Sequence, residues 1–253
     1  MCITAHAATE TINWYMDGNT YATTQCETGS DIILPQTPYK YGYTFNGWFG
    51  YTPIEYLEST GTQWIDTGFA FTDILRQYPF AIDFTVAMET ICNSNCVNYF
   101  SGVSNNNTER VITVSQVRWN TADTSVCLLV NNPSSTNCYK YTTNEKFHLK
   151  YTFDQSSNIY SVSGDATYGP TAIPNNGIMD VSDKHLLIGI PNGPKIPVRI
   201  YRWIYESNGV KIRDFIPVLD SNNVPCMFDK VEKKFYYNQG TGQFIAGPVI
   251  GGE

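Results

Sequence analysis

Residues 80–88 read FAIDFTVAM, and this stretch decides the fold class. Apolar residues stand at every second position, at Phe80, Ile82, Phe84 and Val86, with Ala81, Asp83 and Thr85 between them. Side chains of a β-strand point alternately to its two faces. A period of two therefore predicts a strand with one buried face and one face in water.

A second stretch, RIYRWIYE at 199–206, alternates in the same way but carries apolar bulk on both sides. Strict alternation places Ile200, Arg202, Ile204 and Glu206 on one face, and Tyr201, Trp203 and Tyr205 on the other. We expect this segment to be a strand between two packed layers.

The rest of residues 51–253 repeats this rhythm. Strand-like segments are separated by turn residues: TQWIDTGF, YFSGV, RVITVSQVRW, SVCLLV, KFHLKYTF, NIYSVSG, HLLIGI, KIRDFIPVL and KFYYN. Short strands at this spacing, without a helical window of comparable length, are typical of an antiparallel β-sandwich or jelly roll. Residues 56–69, YLESTGTQWIDTGF, fit the same scheme as a strand, a tight turn at Gly61 and a second strand.

Composition excludes several classes of partner. Charged residues make up 15% of the 253 residues, aromatics 14%, and the formal net charge is −7. Nucleic-acid binding needs a basic stripe, and none is present, so we expect no nucleic-acid partner. An acidic chain is also a poor ligand for anionic lipid. No apolar run reaches the roughly 20 residues that span a bilayer, which predicts no membrane insertion.

Seven cysteines are present, and two pairs are disulfide candidates. Cys127 and Cys138 lie about symmetrically around the turn of VCLLVNNPSSTNCYKY, so a hairpin would bring them face to face. Cys92 and Cys96, in CNSNC, could close a small loop. The alternative is that all seven are buried free thiols. Disulfides indicate an oxidising compartment, so we expect an extracellular, cell-surface or virion-surface location.

Residues 11–49 form a pattern of their own. TINWYM, the Asp17-Gly18 turn and NTYATTQC predict a hairpin, and DIILP at 31–35 predicts a third short strand. The segment closes on GYTFNGW, from Gly42 to Trp48. This stretch resembles the internalin B-repeat, or Listeria–Bacteroides repeat. The resemblance implies a small β-grasp-like module of bacterial surface proteins within residues 1–50, with a spacer or adhesive role.

The ends of the larger region carry a second resemblance. EYLESTGTQWIDTGF at its start, and the RDFIP strand, Phe-Asp turn and closing Gly-Thr-Gly of its tail, resemble concanavalin A-like, laminin-G-like jelly-roll domains. Such domains occur in bacterial surface proteins and phage fibres. The resemblance frames residues 51–250 and implies a β-sandwich that hosts lectins, adhesins, hydrolases and spacers alike.

No catalytic motif stands out in the sequence. A nucleophile elbow, a P-loop and a zinc-protease motif are absent. The nearest candidates for a catalytic carboxylate pair are Asp180/Asp183 and Asp229/Glu232. Both pairs lie in turn-like contexts, and their members are separated by an odd number of positions. We expect no catalytic residues and no enzymatic activity, with a polysaccharide hydrolase or lyase as the weakest alternative.

Glycan binding calls for an aromatic face beside polar groups that hold sugar hydroxyls. The predicted site residues are Asn105, Asn107, Arg118, Trp119 and Tyr139. The alternative is that Trp119 belongs to the core and that the asparagines lie in solvated turns.

We expect no resident cofactor. A Ca²⁺ site is conceivable at Asp180, Ser182 and Asp183, whose oxygens are hard ligands. The sequence thus predicts a non-enzymatic extracellular surface segment that binds a glycan or a host or cell-surface protein. The alternative is a structural subunit of a fibre, pilus or virion that binds copies of itself.

Overall fold

The structure is a computed structural model. It describes residues 8–16, 19–42, 44–45, 50–70, 79–90, 96–105, 109–118, 125–130, 135–154, 156–172, 185–188 and 197–250. The chain divides into two compact units, Met1–Trp48 and Phe49–Glu253. No described segment is helical, so the described residues include no apolar helix that is long enough to cross a membrane.

The described residues form nineteen strands. In chain order they are β1 (Thr9–Met16), β2 (Asn19–Glu27), β3 (Thr52–Pro53), β4 (Leu57–Thr60), β5 (Ile65–Ala70), β6 (Phe80–Met88), β7 (Cys96–Asn105), β8 (Glu109–Arg118), β9 (Ser125–Val130), β10 (Ser135–Lys140), β11 (Lys146–Asp154), β12 (Ile159–Gly164), β13 (Tyr168–Ala172), β14 (His185–Ile188), β15 (Pro197–Ser207), β16 (Val210–Leu219), β17 (Pro225–Asp229), β18 (Lys234–Tyr236) and β19 (Ile245–Ala246).

The smaller unit contains one described hairpin. β1 and β2 pair antiparallel from Thr9 opposite Glu27 to Met16 opposite Asn19, as the sequence predicts. The predicted third strand at 31–35 is wrong. Those residues pair with no described strand, and Ile33 and Leu34 are 72% and 62% exposed. An apolar strand needs a partner strand and a face to bury, and this segment has neither in the described structure.

The described strands of the larger unit form two antiparallel sheets. One sheet has six strands in the order β10-β9-β8-β7-β14-β5. The other has eleven, eight of them in the order β13-β12-β11-β6-β15-β16-β17-β18, with β3, β4 and β19 attached beside this path. The predicted all-β antiparallel sandwich is confirmed.

The core is dominated by aromatic rings from the middle of the larger sheet. Phe84 on β6 stacks on Trp203 of β15 at 4.8 Å between ring centroids, and Phe80 stacks on Phe153 of β11 at 4.6 Å. The six-stranded sheet contributes Ile65 and Val126 to the same buried cluster. Each stacked pair adds about 0.5–1.5 kcal/mol beyond the burial of its surface.

β6 behaves as its alternation predicts. Phe80, Ile82, Phe84 and Val86 are at most 3% exposed and lie in the core cluster. Asp83 and Thr85, between them, are partly exposed on the opposite face. We call this opposite face of the eleven-stranded sheet the outer face.

β15 departs from strict alternation. Its register against β6 shifts between Ile200 and Arg202, which marks a β-bulge. The buried core side chains are Val198 and Ile200 before the bulge and Trp203 and Tyr205 after it. The prediction that Ile200 shares a face with Arg202 is therefore wrong. One extra residue in the strand moves the core-facing positions by one.

The YLESTG segment is a structural turn. Gly61 has a φ of 95°, a region that glycine enters without steric cost. The buried Gln63 Oε1 accepts hydrogen bonds from the Thr60 backbone N–H at 2.8 Å and the Ser59 hydroxyl at 3.1 Å. Its amide nitrogen donates to the Gln243 carbonyl at 2.9 Å. The turn thus ties the start of the unit to its tail.

The predicted Cys127–Cys138 disulfide is confirmed. β9 and β10 form the hairpin, and the two Cα atoms are 4.2 Å apart. Cys26 and Cys226 are free among the described residues. Cys92 lies outside the described residues, so the Cys92–Cys96 candidate remains a prediction.

We predict that Phe84→Ala lowers the free energy of unfolding of the larger unit by about 3–5 kcal/mol, because it leaves a cavity under Trp203. Urea unfolding followed by tryptophan fluorescence measures this loss. The matched control is Thr85→Ala on the outer face, which should cost about 1 kcal/mol or less. Equal losses for the two variants would contradict the assigned inner and outer faces.

We predict that replacing both Cys127 and Cys138 by Ala lowers the free energy of unfolding by about 2–4 kcal/mol, because the unfolded chain is no longer cross-linked. Reductant should destabilise the wild type by a similar amount and leave the double variant unchanged. Cys26→Ala, which removes a free thiol, is the control. A wild type indifferent to reductant, with no cross-linked peptide by mass spectrometry, would refute the bond.

Candidate functional site

The outer face of the eleven-stranded sheet brings charged and aromatic side chains together. Leu57 and Ser59 of β4 are buried, so Glu58 between them points outward. Arg199 and Tyr201 of β15 alternate with the buried Val198 and Ile200 and also point outward. Register pairs Arg199 directly with Glu58, which brings the two charges together across neighbouring strands.

Arg199 is the centre of this arrangement. Its Nε donates to Glu58 Oε2 at 2.9 Å, and its Nη2 lies 2.8 Å from Glu89 Oε1. The guanidinium carbon stands 4.8 Å from the centre of the Tyr56 ring. A guanidinium held by two carboxylates and an aromatic face has a fixed orientation.

Two tyrosines lie side by side next to this guanidinium. The Tyr56 and Tyr201 rings meet edge to face, 5.5 Å between centroids at 61°. Lys146 Nζ stands 4.9 Å from the centre of the Tyr201 ring. We call Tyr56, Glu58, Glu89, Lys146, Arg199 and Tyr201 the tyrosine–arginine cluster. Both rings are partly exposed.

Backbone packing holds Tyr56 in place. Gly247 donates its N–H to the Tyr56 carbonyl at 2.9 Å, in the pairing of β19 with β4. A Cβ atom at Gly247 would lie 2.9 Å from the Tyr56 ring, so only glycine allows this approach. The ring is therefore supported from the tail of the chain.

The ionisation of the cluster follows from its crowding. Burial, and after it the charge of Glu58, raises the pKa of the Glu89 carboxyl. The hydrogen bond to Glu58 raises the pKa of Arg199, which keeps the guanidinium charged. Burial, followed by the charge of Glu55, raises the pKa of the Tyr201 hydroxyl, so that it stays a hydrogen-bond donor at neutral pH. The cluster offers hydroxyl donors, cations and carboxylate acceptors within one patch.

The outer face continues beyond this cluster as a set of side-chain pairs that each contain a carboxylate. His148 Nε2 lies 2.9 Å from Asp83 Oδ1, and Lys150 pairs with Glu206. Arg202 donates twice to Asp214, at 2.9 and 2.8 Å. The His148–Asp83 and Arg202–Asp214 pairs each join neighbouring strands, and the Lys150–Glu206 pair joins β11 to β15 across β6. These contacts hold the side chains in place.

A further pair, Asp229 and Glu232, is brought together by one cation. The Arg213 guanidinium lies 3.4 Å from Asp229 Oδ2 and also binds Glu232, while it stacks over Phe69 of β5 at 4.7 Å. Asp229 is fully buried, and its Oδ1 accepts the backbone N–H of Asp214 at 3.0 Å. The contact of Arg213 with Phe69 links the two sheets. Both carboxylates of this candidate catalytic pair are engaged by Arg213.

Of the residues that the sequence proposes for glycan binding, the three that the structure describes do not lie together. Asn105 ends β7 opposite Glu109, whereas Arg118 ends β8 opposite Cys96. The two therefore lie at opposite ends of a hairpin, about 30 Å apart at roughly 3.3 Å per residue. Tyr139 of β10 lies opposite Val126 of β9, and Val126 lies opposite Gln116 of β8. Tyr139 is therefore on the side of the sheet where Arg118 ends β8.

Tyr139 is not a free platform. Its half-buried ring packs on Phe147 of the core at 5.1 Å between centroids. Asn107 and Trp119 lie outside the described residues, and so do Asp180, Ser182 and Asp183 of the conceivable Ca²⁺ site. Within the described ranges, no group of three or more His, Cys, Asp or Glu side chains could hold a metal ion.

Sequence reasoning missed the tyrosine–arginine cluster. Its members come from four separate segments of the chain, around residues 56–58, 89, 146 and 199–201. The available signal was an aromatic and a cation exposed on a strand, as in Arg199 and Tyr201. Their partners become visible only through strand register.

Comparisons with known proteins indicate no family for this chain. No protein-family model matches the chain, and no curated protein matches it. A heptameric SAP-like pentraxin from Limulus polyphemus is 9% identical, with 78% of this chain and 90% of the pentraxin covered at a TM-score of 0.44. Peanut lectin is 9% identical, with 79% and 97% covered at 0.34. A likeness at this level assigns no family, ligand or activity to this chain.

The same comparison corrects one expectation. The prediction that the chain is not an enzyme is contradicted, because the matching structures include Trypanosoma rangeli sialidase at 14% identity and a TM-score of 0.37. The match covers 53% of this chain but 21% of the sialidase, so the chain spans about a fifth of that protein's length. Such a match assigns no catalytic residue and no substrate.

We predict a shallower acid dependence of stability for Asp214→Asn than for the wild type. Burial alone raises the pKa of Asp214, but hydrogen bonds and charges from Arg202 and Lys211 outweigh it and lower the pKa below its ordinary value. A depressed pKa stabilises the fold above the unfolded value of about 3.9, and this contribution is lost as the pH falls through the folded pKa.

Urea unfolding between pH 7 and pH 3 tests this. Asp214→Asn should be less stable than the wild type by about 1–3 kcal/mol at pH 7, and the two should converge toward pH 3. Glu145→Gln, which removes an exposed carboxylate, serves as the control. A difference that stays constant across this range would contradict the linkage.

Proposed function

We propose that the larger unit binds carbohydrate through the tyrosine–arginine cluster, and that the chain serves in extracellular adhesion. The observation that supports this most is the pair of partly exposed tyrosines, 5.5 Å apart, beside Arg199, Glu58 and Glu89. Sugar rings combine an apolar face with a rim of hydroxyls. A site that combines aromatic surface with fixed donors and acceptors complements both.

Preorganisation supports the proposal further. Arg199 and Tyr201 lie on a central strand, and the opposite face of that strand is fully packed against the core. Glu58 and Glu89 hold the guanidinium before any ligand arrives. Little side-chain freedom would then be lost on binding, which favours affinity for a small polar ligand.

The extracellular setting rests on the disulfide. Cys127–Cys138 joins two neighbouring strands, and structural disulfides persist in oxidising compartments. The lectin-like and pentraxin-like folds of the matching structures agree with a binding module of this kind without naming its ligand.

Self-association is a second candidate, and a specific observation favours it. The smaller unit exposes apolar and aromatic side chains: Ile33 at 72%, Leu34 at 62%, Tyr39 at 86% and Tyr41 at 88%. Exposed apolar surface of this kind is typical of protein–protein contacts. Light scattering over a range of concentrations tests it, and a persistent monomer would remove this candidate.

We predict that Tyr201→Ala and Tyr56→Ala each weaken glycan binding at least tenfold, because each removes aromatic surface from the cluster. The wild type is first screened on a glycan array, and the strongest hit is then titrated by calorimetry against all variants. Tyr168→Ala, which removes a partly exposed tyrosine on β13, is the matched control and should bind as the wild type does. An array without hits, or unchanged affinity in both cluster variants, would refute the proposal.

A further inference from the structure

Glycans divide into neutral ones and acidic ones that carry carboxylate or sulfate. We infer that the tyrosine–arginine cluster is built for neutral glycans and rejects acidic ones. This inference rests on the proposed function and adds the chemical class of its ligand. It follows from how the charges of the outer face are distributed and paired.

The strongest cation of the cluster is already occupied. Arg199 directs Nε to Glu58 and Nη2 to Glu89, at 2.9 and 2.8 Å, and its planar face lies against Tyr56. Glu58 and Glu89 are 14% and 19% exposed, so both carboxylates are largely withdrawn from water. An acidic sugar would have to share the guanidinium with these two carboxylates, whose charges already oppose a further anion.

The charge balance around the tyrosines points the same way. Glu55, Glu58 and Glu89 supply three carboxylates, against the two cations Arg199 and Lys146. The Lys146 ammonium is itself placed over the Tyr201 ring. The local excess is negative, in keeping with the net charge of −7 on the whole chain. Coulomb repulsion therefore opposes an anionic ligand both at long range and at contact.

The neighbouring part of the outer face offers no replacement cation in the described structure. Lys150 is paired with Glu206, and Arg202 is paired with Asp214. A neutral glycan needs none of these groups to change partner. Its hydroxyls can donate to the carboxylate oxygens, and its ring can rest on the exposed aromatic surface.

Matched pairs of glycans test the inference on the wild-type chain. The probes are lactose against sialyllactose and cellobiose against cellobiouronic acid, each immobilised at equal density. We expect the acidic member of each pair to bind at least tenfold more weakly than the neutral one. Binding of the neutral member should change little between 50 and 500 mM salt, because no charge on the ligand is screened.

A variant pair tests the cause. Glu58→Gln with Glu89→Gln removes two carboxylates around Arg199 and should narrow the difference between neutral and acidic members at least fivefold. The control is Glu10→Gln with Glu27→Gln, which makes the same change in net charge on exposed positions of the smaller unit. This control should leave the difference as in the wild type. Circular dichroism establishes that both double variants are folded, and Glu89→Gln alone replaces the first if it is not.

The outcomes separate the two proposals. Equal or tighter binding of the acidic members to the wild type overturns the inference and leaves carbohydrate binding intact. A difference that the cluster variant and the control change equally overturns the assignment to Arg199 and its partners. Failure of every neutral and acidic probe to bind, together with a glycan array without hits, refutes the proposed function itself, and the inference with it.

Discussion

The stacking of Phe84 on Trp203, 4.8 Å apart across β6 and β15, is the contact on which the rest of the larger unit depends. These two strands are neighbours in the middle of the eleven-stranded sheet and pair along nine residues of register. Their inner side chains form the centre of the aromatic core. The side chains of β6 and β15 that point away from this core lie on the outer face.

The bulge in β15 decides which side chains of this strand lie on the outer face. Because the register shifts between Ile200 and Arg202, Tyr201 and Arg202 both point outward while Ile200 and Trp203 both remain in the core. A β-bulge commonly redirects side chains in this way. It places an aromatic and a cation side by side on a rigid support.

Charge on the larger unit is organised in pairs that cross between strands. On the outer face Arg199 and Arg202 contact carboxylates of adjacent strands, and Lys150 of β11 contacts Glu206 of β15 across β6. Arg213 of β16 contacts the buried Asp229 of the adjacent β17. Such pairs contribute modestly to stability at the surface, but they fix side-chain orientation. For the glycan recognition proposed above, the expected consequence is selectivity, because a cation that is already paired with a carboxylate attracts an anionic ligand less strongly.

The sequence by itself determined the fold class, the faces of β6, the turn at Gly61 and the Cys127–Cys138 bond, because these depend on periodicity or on residues near one another in the chain. It did not determine the faces of β15, the lack of a described partner strand for residues 31–35, or the separation of Asn105 from Arg118. Those depend on which strands become neighbours and in which register, and cross-strand register is set by the packing of the whole sandwich. The tyrosine–arginine cluster belongs to this second group, since only tertiary packing brings Tyr56, Glu89 and Lys146 to Arg199.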